Sequence, residues 1–171
     1  MSTSSSPPRR RRNQRGASAV ELALVAPLLL LLLFGTVSAG LTYSDHVATT
    51  NAAREGARYA AAADGTSTWG ASVQSRVQQV YFNAAGEAPT DNQVCAKLVT
   101  ADGTVIASDS GTECGSEPSL PTMLAGSCAV KVWMSKPGVI RMGVFPDLNL
   151  TLHAESVGVY GRILDTRCTV S

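Results

Sequence analysis

The feature that most constrains this chain is an uncharged apolar run near its start. Residues Leu22 to Leu41 read LALVAPLLLLLLFGTVSAGL, which is twenty residues without a charged side chain. At about 1.5 Å of rise per residue, a helix of this length spans the roughly 30 Å hydrocarbon core of a bilayer. Because lipid offers no partner to a backbone amide, such a segment must be helical inside a membrane. The run therefore predicts a transmembrane helix, which we assign to residues 17–41.

The charges that precede the run predict its direction in the membrane. Residues 1–16 contain no acidic residue and five arginines, at positions 9, 10, 11, 12 and 15. Basic residues resist translocation, so we expect residues 1–16 to be a cytoplasmic leader and the chain beyond residue 41 to be extracytoplasmic. The remaining chain has nine basic against 13 acidic residues. A nucleic-acid-binding protein would spread positive charge over its folded surface, so we expect no nucleic-acid partner.

The helix is expected to continue beyond the membrane. Residues 42–63 contain few helix breakers, and the Asp64-Gly65 pair is a typical helix stop. Small or apolar side chains recur at near-helical spacing and predict a buried face, at Val47, Thr50, Ala53, Ala57 and Ala60. We therefore interpret residues 42–63 as an extracytoplasmic continuation of the membrane helix.

Residues 64–171 are predicted to form a small α+β domain. Apolar residues at helical spacing predict a helix over 71–85. Residues 109–127, rich in Ser, Gly, Pro and Thr, predict a long loop. Alternating and β-branched residues predict strands over 94–99, 105–108, 129–134, 148–152 and 156–160, with turns at 101–103 and at Pro137-Gly138. The predicted fold class is α+β, a long N-terminal helix packed against a small antiparallel sheet.

Four cysteines lie in the part of the chain predicted to be outside the cytoplasm: Cys95, Cys114, Cys128 and Cys168. An even number in a small exported domain predicts two disulfides, and three pairings are open. The pairing of Cys95 with Cys114 and of Cys128 with Cys168 is favoured, because each bond closes one local hairpin-like unit. Free buried thiols are the alternative.

The sequence contains no pattern typical of catalysis or metal binding. His46 and His153 lack partners at metal-ligand spacing, and no CxxC motif occurs. There is also no GxSxG motif, phosphate-binding loop or dinucleotide fingerprint. We therefore expect a protein that is not an enzyme and that uses no metal and no cofactor.

The junction between the leader and the apolar run carries the strongest functional signal. The basic leader ends in glycine at Gly16, and a carboxylate follows at Glu21. A charged carboxylate on a membrane helix costs about 2.5–3.5 kcal/mol at the bilayer centre and less near the edge. Glu21 therefore either reaches the headgroups or meets a partner charge. A cut after Gly16 would place an α-ammonium at Ala17, on the same helix face as Glu21 or near a neighbouring subunit's carboxylate.

A longer pattern surrounds this junction. It consists of a basic residue and glycine, a Val-Glu pair, a leucine, an Ala-Leu pair, a proline before a leucine run and a later glycine. In this chain these are Arg15, Gly16, Val20, Glu21, Leu22, Ala23, Leu24, Pro27 and Gly35. Residues 52–61, AAREGARYAA, extend the pattern beyond the membrane helix. Together these segments resemble the TadE-like pseudopilin family of the tight-adherence (Flp) pilus machinery. The domain that follows carries no comparable residue-level resemblance.

The resemblance implies a minor, non-enzymatic pilus subunit. A prepilin peptidase would cut between Gly16 and Ala17, and Glu21 would recruit the subunit or set its register. The implied partners are inner-membrane lipid, the peptidase, the assembly platform and other pseudopilins. The protein would be a single-pass protein of the cell membrane or would enter the fibre. Ala17 stands where type IV pilins usually have Phe, which leaves N-methylation of the new terminus open.

Pro27 predicts a bend in the membrane helix, because proline removes one helix hydrogen bond. The bend is either a tolerated feature of a membrane helix or a means of packing in a bundle of neighbours.

Two other interpretations of the N-terminal segment remain open. In the first, Val37-Ser38-Ala39 is an ordinary signal-peptide cleavage site, and the released domain has a binding role. In the second, the helix is a simple single-pass anchor without a pilus role. The second interpretation accounts for the topology but leaves the Gly16 to Glu21 spacing to chance.

Overall fold

The computed structural model describes residues 14–64, 67–141 and 146–160. Within these ranges the chain forms two α-helices, a short 3-10 helix at Asp91–Gln93 and four β-strands. The elements are α1 (Gln14–Ala62), α2 (Trp69–Ala85), β1 (Val94–Thr100), β2 (Val105–Ser110), β3 (Cys128–Ile140) and β4 (Leu148–Val159). The predicted α+β class, a long N-terminal apolar helix with a small antiparallel sheet, is confirmed.

Helix α1 is one uninterrupted element of 49 residues that has two different environments. We call residues 22–41 its apolar half, because most of the leucine side chains there are at least half exposed. We call residues 42–62 its alanine half, which packs against α2, β3 and β4. Residues 67–160, which contain α2 and the sheet, are the sheet domain.

The buried face of the alanine half differs from the predicted one. Val47 is 40% exposed and Thr50 is only partly buried, although both were expected on the buried face. The residues that are buried are almost all small: Ala48, Thr49, Ala52, Ala53, Gly56, Ala57 and Ala60. The difference is one of helix phase, because the face that packs against α2 and the sheet is rotated from the predicted one. Thr49 is buried, whereas its neighbour Thr50, a side chain of the same size, is only partly buried.

The sheet is antiparallel throughout and has the strand order β2-β1-β3-β4. Successive side chains of a strand point to opposite faces, and the even-numbered residues of β1 and β3 face the helices. They form the core with the buried side of α2, and the core residues include Val94, Ala96, Leu98, Val130, Val132, Met134, Val73, Val77 and Tyr81.

The predicted turn at Pro137-Gly138 is wrong. Both residues lie inside β3, where Pro137 pairs with Thr151 and Gly138 pairs with Leu150. The pairing of β1 with β3 ends at Met134. Beyond that point β3 has a neighbour on one side only, and proline is tolerated in a strand that has an open edge.

The two strands predicted over 148–152 and 156–160 are one strand, β4. The residues between them continue the alternation, with Leu152 and Ala154 buried and Glu155 exposed. β3 and β4 therefore form a hairpin that is much longer than the sequence indicated.

The face of the sheet opposite the helices is partly covered by residues 111–127. A disulfide joins Cys95 of β1 to Cys114 of this segment, and it packs with Trp133. The Glu117 carboxylate accepts hydrogen bonds from Lys97 at 2.5 Å and Lys131 at 2.7 Å. The hydrogen bond from Lys131, followed by that from Lys97, lowers the pKa of Glu117 below its usual value of 4.5.

Candidate functional site on the N-terminal helix

The residues predicted to be cut and recognised lie on the first turns of α1. The helix begins at Gln14, so the Gly16–Ala17 bond lies within it, and both residues are exposed. A Cβ placed on Gly16 would meet no other atom within 4 Å. Packing within the described structure therefore does not require a glycine at this position. Residues 1–13 of the predicted leader lie outside the described residues.

Glu21 is exposed and lies four residues after Ala17 on α1. Residues four apart on a helix share one face, so the two positions lie one above the other. In the described part of the chain, Glu21 forms no salt bridge. Its carboxylate is therefore open to a charge from outside this chain.

The apolar half of α1 has the length and composition of a membrane-crossing segment. None of the 18 residues in the most apolar stretch of the helix is buried by the rest of the described structure. Pro27 lies inside the continuous helix, where it cannot donate to the carbonyl of Ala23. Gly35 and Gly40 would each accept a Cβ with no atom within 4 Å, so the backbone at both glycines is open to a neighbour.

The alanine half comes closest to the sheet domain at Gly56. A Cβ on Gly56 would collide with Cγ2 of Val77 in α2 and would lie 3.3 Å from Cγ1 of Val132 in β3. Three elements therefore meet at this glycine, α1, α2 and β3. The available signal was a glycine in the middle of a helical stretch, where glycine costs about 1 kcal/mol relative to alanine.

Side chains from the sheet domain bind the last turn of α1. The indole Nε1 of Trp69 donates to the carbonyl of Ala60 at 3.1 Å, and the hydroxyl of Tyr160 donates to the carbonyl of Ala63 at 2.8 Å. The last four carbonyls of a helix have no partner within it, so Trp69 satisfies one of these groups. Tyr160 binds the carbonyl of the residue that follows the helix end at Ala62.

The end of the β3–β4 hairpin reaches the border between the two halves of α1. The backbone N–H of Arg141 donates to Oγ of Ser38 at 2.7 Å. The Thr42 hydroxyl lies 3.1 Å from the carbonyl oxygen of Ser38 in its own helix and 3.5 Å from that of Val139, so its single proton is shared between the two or favours Ser38. This contact was not predicted, because the predicted strand ended at residue 134 and was followed by a turn at Pro137-Gly138, whereas β3 continues to Ile140.

The structure joins Cys95 to Cys114, with Cα atoms 5.9 Å apart, which is the first of the two pairs that the sequence favoured. Cys128 is also disulfide-bonded. Cys168, its partner in the favoured pairing, lies outside the described residues. Neither cysteine of the Cys95–Cys114 bond is near the first turns of α1, so this disulfide has a structural role in the sheet domain.

The two histidines lie apart from each other. His46 is exposed on α1, whereas His153 of β4 has Nε2 3.7 Å from a carboxylate oxygen of Glu155. Among the described residues, no group of three or more His, Cys, Asp or Glu side chains is placed to hold a metal ion.

A small sheet domain joined to a long helix, one half of which is apolar and exposed, defines an α+β protein with a membrane-anchor candidate at its N-terminus. The model of the family described as TadE-like protein matches residues 16–58. The match begins at Gly16 and covers the apolar half and most of the alanine half of α1. The resemblance to the TadE-like family is therefore confirmed over this segment, which indicates a subunit related to Tad pili. No curated protein and no solved structure matches the chain.

Proposed function

We propose that this chain is a minor pseudopilin, a non-enzymatic structural subunit of a tight-adherence (Flp) pilus or a related secretion apparatus. It is inserted with residues 1–16 in the cytoplasm, residues 17–41 across the membrane and residues 42–171 outside. A prepilin peptidase cuts it after Gly16. The observation that carries the proposal is the TadE-like match, which starts at Gly16 and lies on one continuous helix whose apolar half is exposed.

The geometry at Gly16 supports recognition by a peptidase. Nothing in the described structure packs against this glycine, so its small size serves a contact outside the chain. A protease that approaches the backbone closely benefits from a residue without a side chain. The exposure of Ala17 keeps the bond accessible from the side of the leader.

Glu21 is proposed as the residue that recruits the subunit. After cleavage, the new α-ammonium at Ala17 and the Glu21 carboxylate lie on the same face of α1. Each can also meet the opposite charge on a neighbouring subunit. Because such attractions are much stronger in a low-dielectric medium than in water, a single pair near the membrane edge is enough to set the register of subunits.

N-terminal sequencing of the membrane-bound protein tests the processing step. The wild-type chain is expected to begin at Ala17, and Gly16→Ala is expected to retain the leader. Gly40→Ala is the matched control, since Gly40 is a glycine of the same helix that would also accept a Cβ without a contact. An intact leader in the wild-type protein would overturn the proposed cleavage.

The role of Glu21 is tested by Glu21→Gln, which removes the charge and keeps the shape. We expect normal cleavage but loss of association with other pilus subunits in a co-purification assay. Glu55→Gln is the control, because Glu55 lies on the same helix but pairs with Arg76 of α2. If the Glu21→Gln protein still associated with the other pilus subunits as wild type does, the proposed recruitment role of Glu21 would be wrong.

The signal-peptide interpretation predicts a soluble product that begins at Gly40. Cleavage there would remove Ser38, whose hydroxyl accepts the hydrogen bond from Arg141 at the end of the sheet. Cell fractionation separates the alternatives, because a released fragment that starts at Gly40 would replace the pseudopilin proposal with a secreted binding domain.

A further inference from the structure

The end of the β3–β4 hairpin lies beside the apolar half of α1. We define the hairpin end as residues 139–141 and 146–148. A hydrogen bond from Arg141 N–H to Ser38 Oγ attaches it to the helix, and the Thr42 hydroxyl lies 3.5 Å from the carbonyl oxygen of Val139. Ser38 belongs to the apolar half, so part of the sheet domain stands at the level of the proposed membrane segment.

The depth of the hairpin end follows from helix geometry. If the run from Leu22 to Leu41 spans the hydrocarbon core, Ser38 lies about 4.5 Å inside the boundary at Leu41, given a rise of about 1.5 Å per residue. The headgroup region beyond that boundary is about 5–7 Å thick. A strand end that touches Ser38 therefore lies at the junction of acyl chains and headgroups.

The surface of the hairpin end suits that position. Val139 is 40% exposed and Leu148 is 53% exposed, although both are apolar. A groove between the hairpin end and α1 is lined by Phe34, Val37, Ser38, Leu41 and Arg141. Its walls are apolar apart from the serine hydroxyl and the arginine at its rim, which is the pattern that an acyl chain requires.

Arg141 supplies a positive charge at the rim of the groove. Its side chain is exposed and forms no salt bridge with any residue in the described ranges. A guanidinium group binds phosphate through paired hydrogen bonds. The other polar residue of this end, Asp147, is exposed and is accommodated at headgroup level.

We propose that the hairpin end is a second lipid-binding element, seated in the leaflet next to the sheet domain. An acyl chain of a phospholipid occupies the groove beside Phe34 and Val37, and its phosphate binds Arg141. The occupant is lipid because the surface is continuous with the membrane-spanning helix and combines apolar walls with a free cation. The proposal rests on membrane insertion of α1, which is part of the proposed function.

Quenching of tryptophan fluorescence by lipids brominated on their acyl chains tests this position. The full chain is reconstituted in vesicles of phosphatidylcholine and phosphatidylglycerol, and three substitutions are compared. Leu148→Trp reports the hairpin end, Phe34→Trp reports insertion of α1, and Val159→Trp is the matched control at the other end of β4, where Val159 is 65% exposed. The native Trp69 and Trp133 are buried and common to all three variants.

We expect the added tryptophan to be quenched at positions 34 and 148 and to be unquenched at position 159. Quenching at 34 without quenching at 148 overturns the lipid site and leaves insertion of α1 intact. A blue-shifted but unquenched tryptophan at 148 also overturns it, because protein then covers the hairpin end. Absence of quenching at position 34 overturns membrane insertion and the lipid site together.

The phosphate contact is tested by Arg141→Glu in the Leu148→Trp background. We expect quenching in vesicles that contain phosphatidylglycerol to fall by about half, because a basic residue at an anionic surface is replaced by an acidic one. Vesicles of pure phosphatidylcholine are expected to show a smaller loss. Equal quenching with and without Arg141 in the anionic vesicles overturns its role as the phosphate ligand.

Discussion

The two halves of α1 belong to the same helix, yet they differ in what surrounds them. Most leucines of the apolar half are at least half exposed. The alanine half carries smaller side chains, and Ala52, Ala53 and Ala60 are fully buried. The more apolar half is thus the one that the protein itself leaves uncovered.

The difference shows that this protein packs on itself where the helix carries small side chains, and not where the helix is most apolar. Lipid tails are as apolar as leucine, so a leucine-rich surface gains little from protein contact inside a membrane. A sheet and a second helix can approach a helix backbone closely only where the side chains are small. Gly56, between Val77 and Val132, is the extreme case.

The strongest test of the apolar half is Leu30→Asp. A carboxylate near the bilayer centre costs about 3 kcal/mol, so we expect most of the protein to be lost from the membrane fraction after alkaline extraction. Leu124→Asp is the control, because Leu124 is 84% exposed in the sheet domain. If both variants stay in the membrane, the exposed leucines do not contact lipid and the comparison fails.

The alanine half is tested by Gly56→Ala. The new methyl group collides with Val77, a stiff β-branched side chain that is fully buried. We expect a loss of about 2 kcal/mol in the free energy of unfolding, measured by thermal unfolding in detergent. Gly40→Ala makes the same change in the apolar half, where the methyl group meets no atom, and is expected to leave the unfolding midpoint unaltered or to raise it. Equal midpoints for both variants would contradict the proposed close packing.

Tyr160→Phe sharpens the comparison at the end of the alanine half. It deletes the hydroxyl that donates to the carbonyl of Ala63, and it leaves the ring in place. We expect the free energy of unfolding to fall by about 1 kcal/mol, the net value of a typical hydrogen bond. Tyr59→Phe is the control, because Tyr59 is 40% exposed. A Tyr160→Phe protein as stable as wild type would show that water replaces the bond.

The smallest expected effect is a loss of stability at low pH, which arises at Glu117 of the sheet domain and not in either half of α1. Since the pKa of Glu117 is lowered in the folded protein, its stabilising contribution is present above its unfolded value of 4.5. It is lost as pH falls through the folded value. Glu117 is partly exposed, so we expect a contribution of about 0.5 kcal/mol.

The measurement compares wild type and Glu117→Gln by thermal unfolding near neutral pH and at about pH 3. The two proteins should differ near neutral pH and should converge in acid. A constant difference at both pH values would show that the Lys97 and Lys131 contacts do not depend on the charge of Glu117.

Much of the fold could be predicted because its signals are local. The apolar run determines α1, and β1 and β2 are separated by a short turn segment that contains Asp102-Gly103. The errors arose where a distant partner decides the structure. Pro137 resembles a turn residue in sequence, but it lies in a strand whose second neighbour ends at Met134. Position 47 was expected to be buried, but the helix face that packs against the sheet domain passes through Ala48 and Thr49 instead.

The candidate site divides in the same way. Gly16 and Glu21 could be singled out from their spacing alone, since both lie on one helix and their order along the chain places them. The importance of Gly56 and Ser38 could not be predicted, because it depends on contacts with residues far along the chain. Gly56 lies against Val132, and Ser38 accepts a hydrogen bond from Arg141. A single sequence does not contain the distance between such elements.

The continuity of α1 from Gln14 to Ala62 has a mechanical consequence. Because the helix has no break, the direction in which Glu21 points around the helix axis is fixed relative to the side on which the sheet packs. Each residue of a helix turns it by about 100°. One residue added between Leu41 and Thr42 would therefore rotate the sheet domain by about 100° around the helix axis relative to Glu21, so that it would face a different neighbouring subunit.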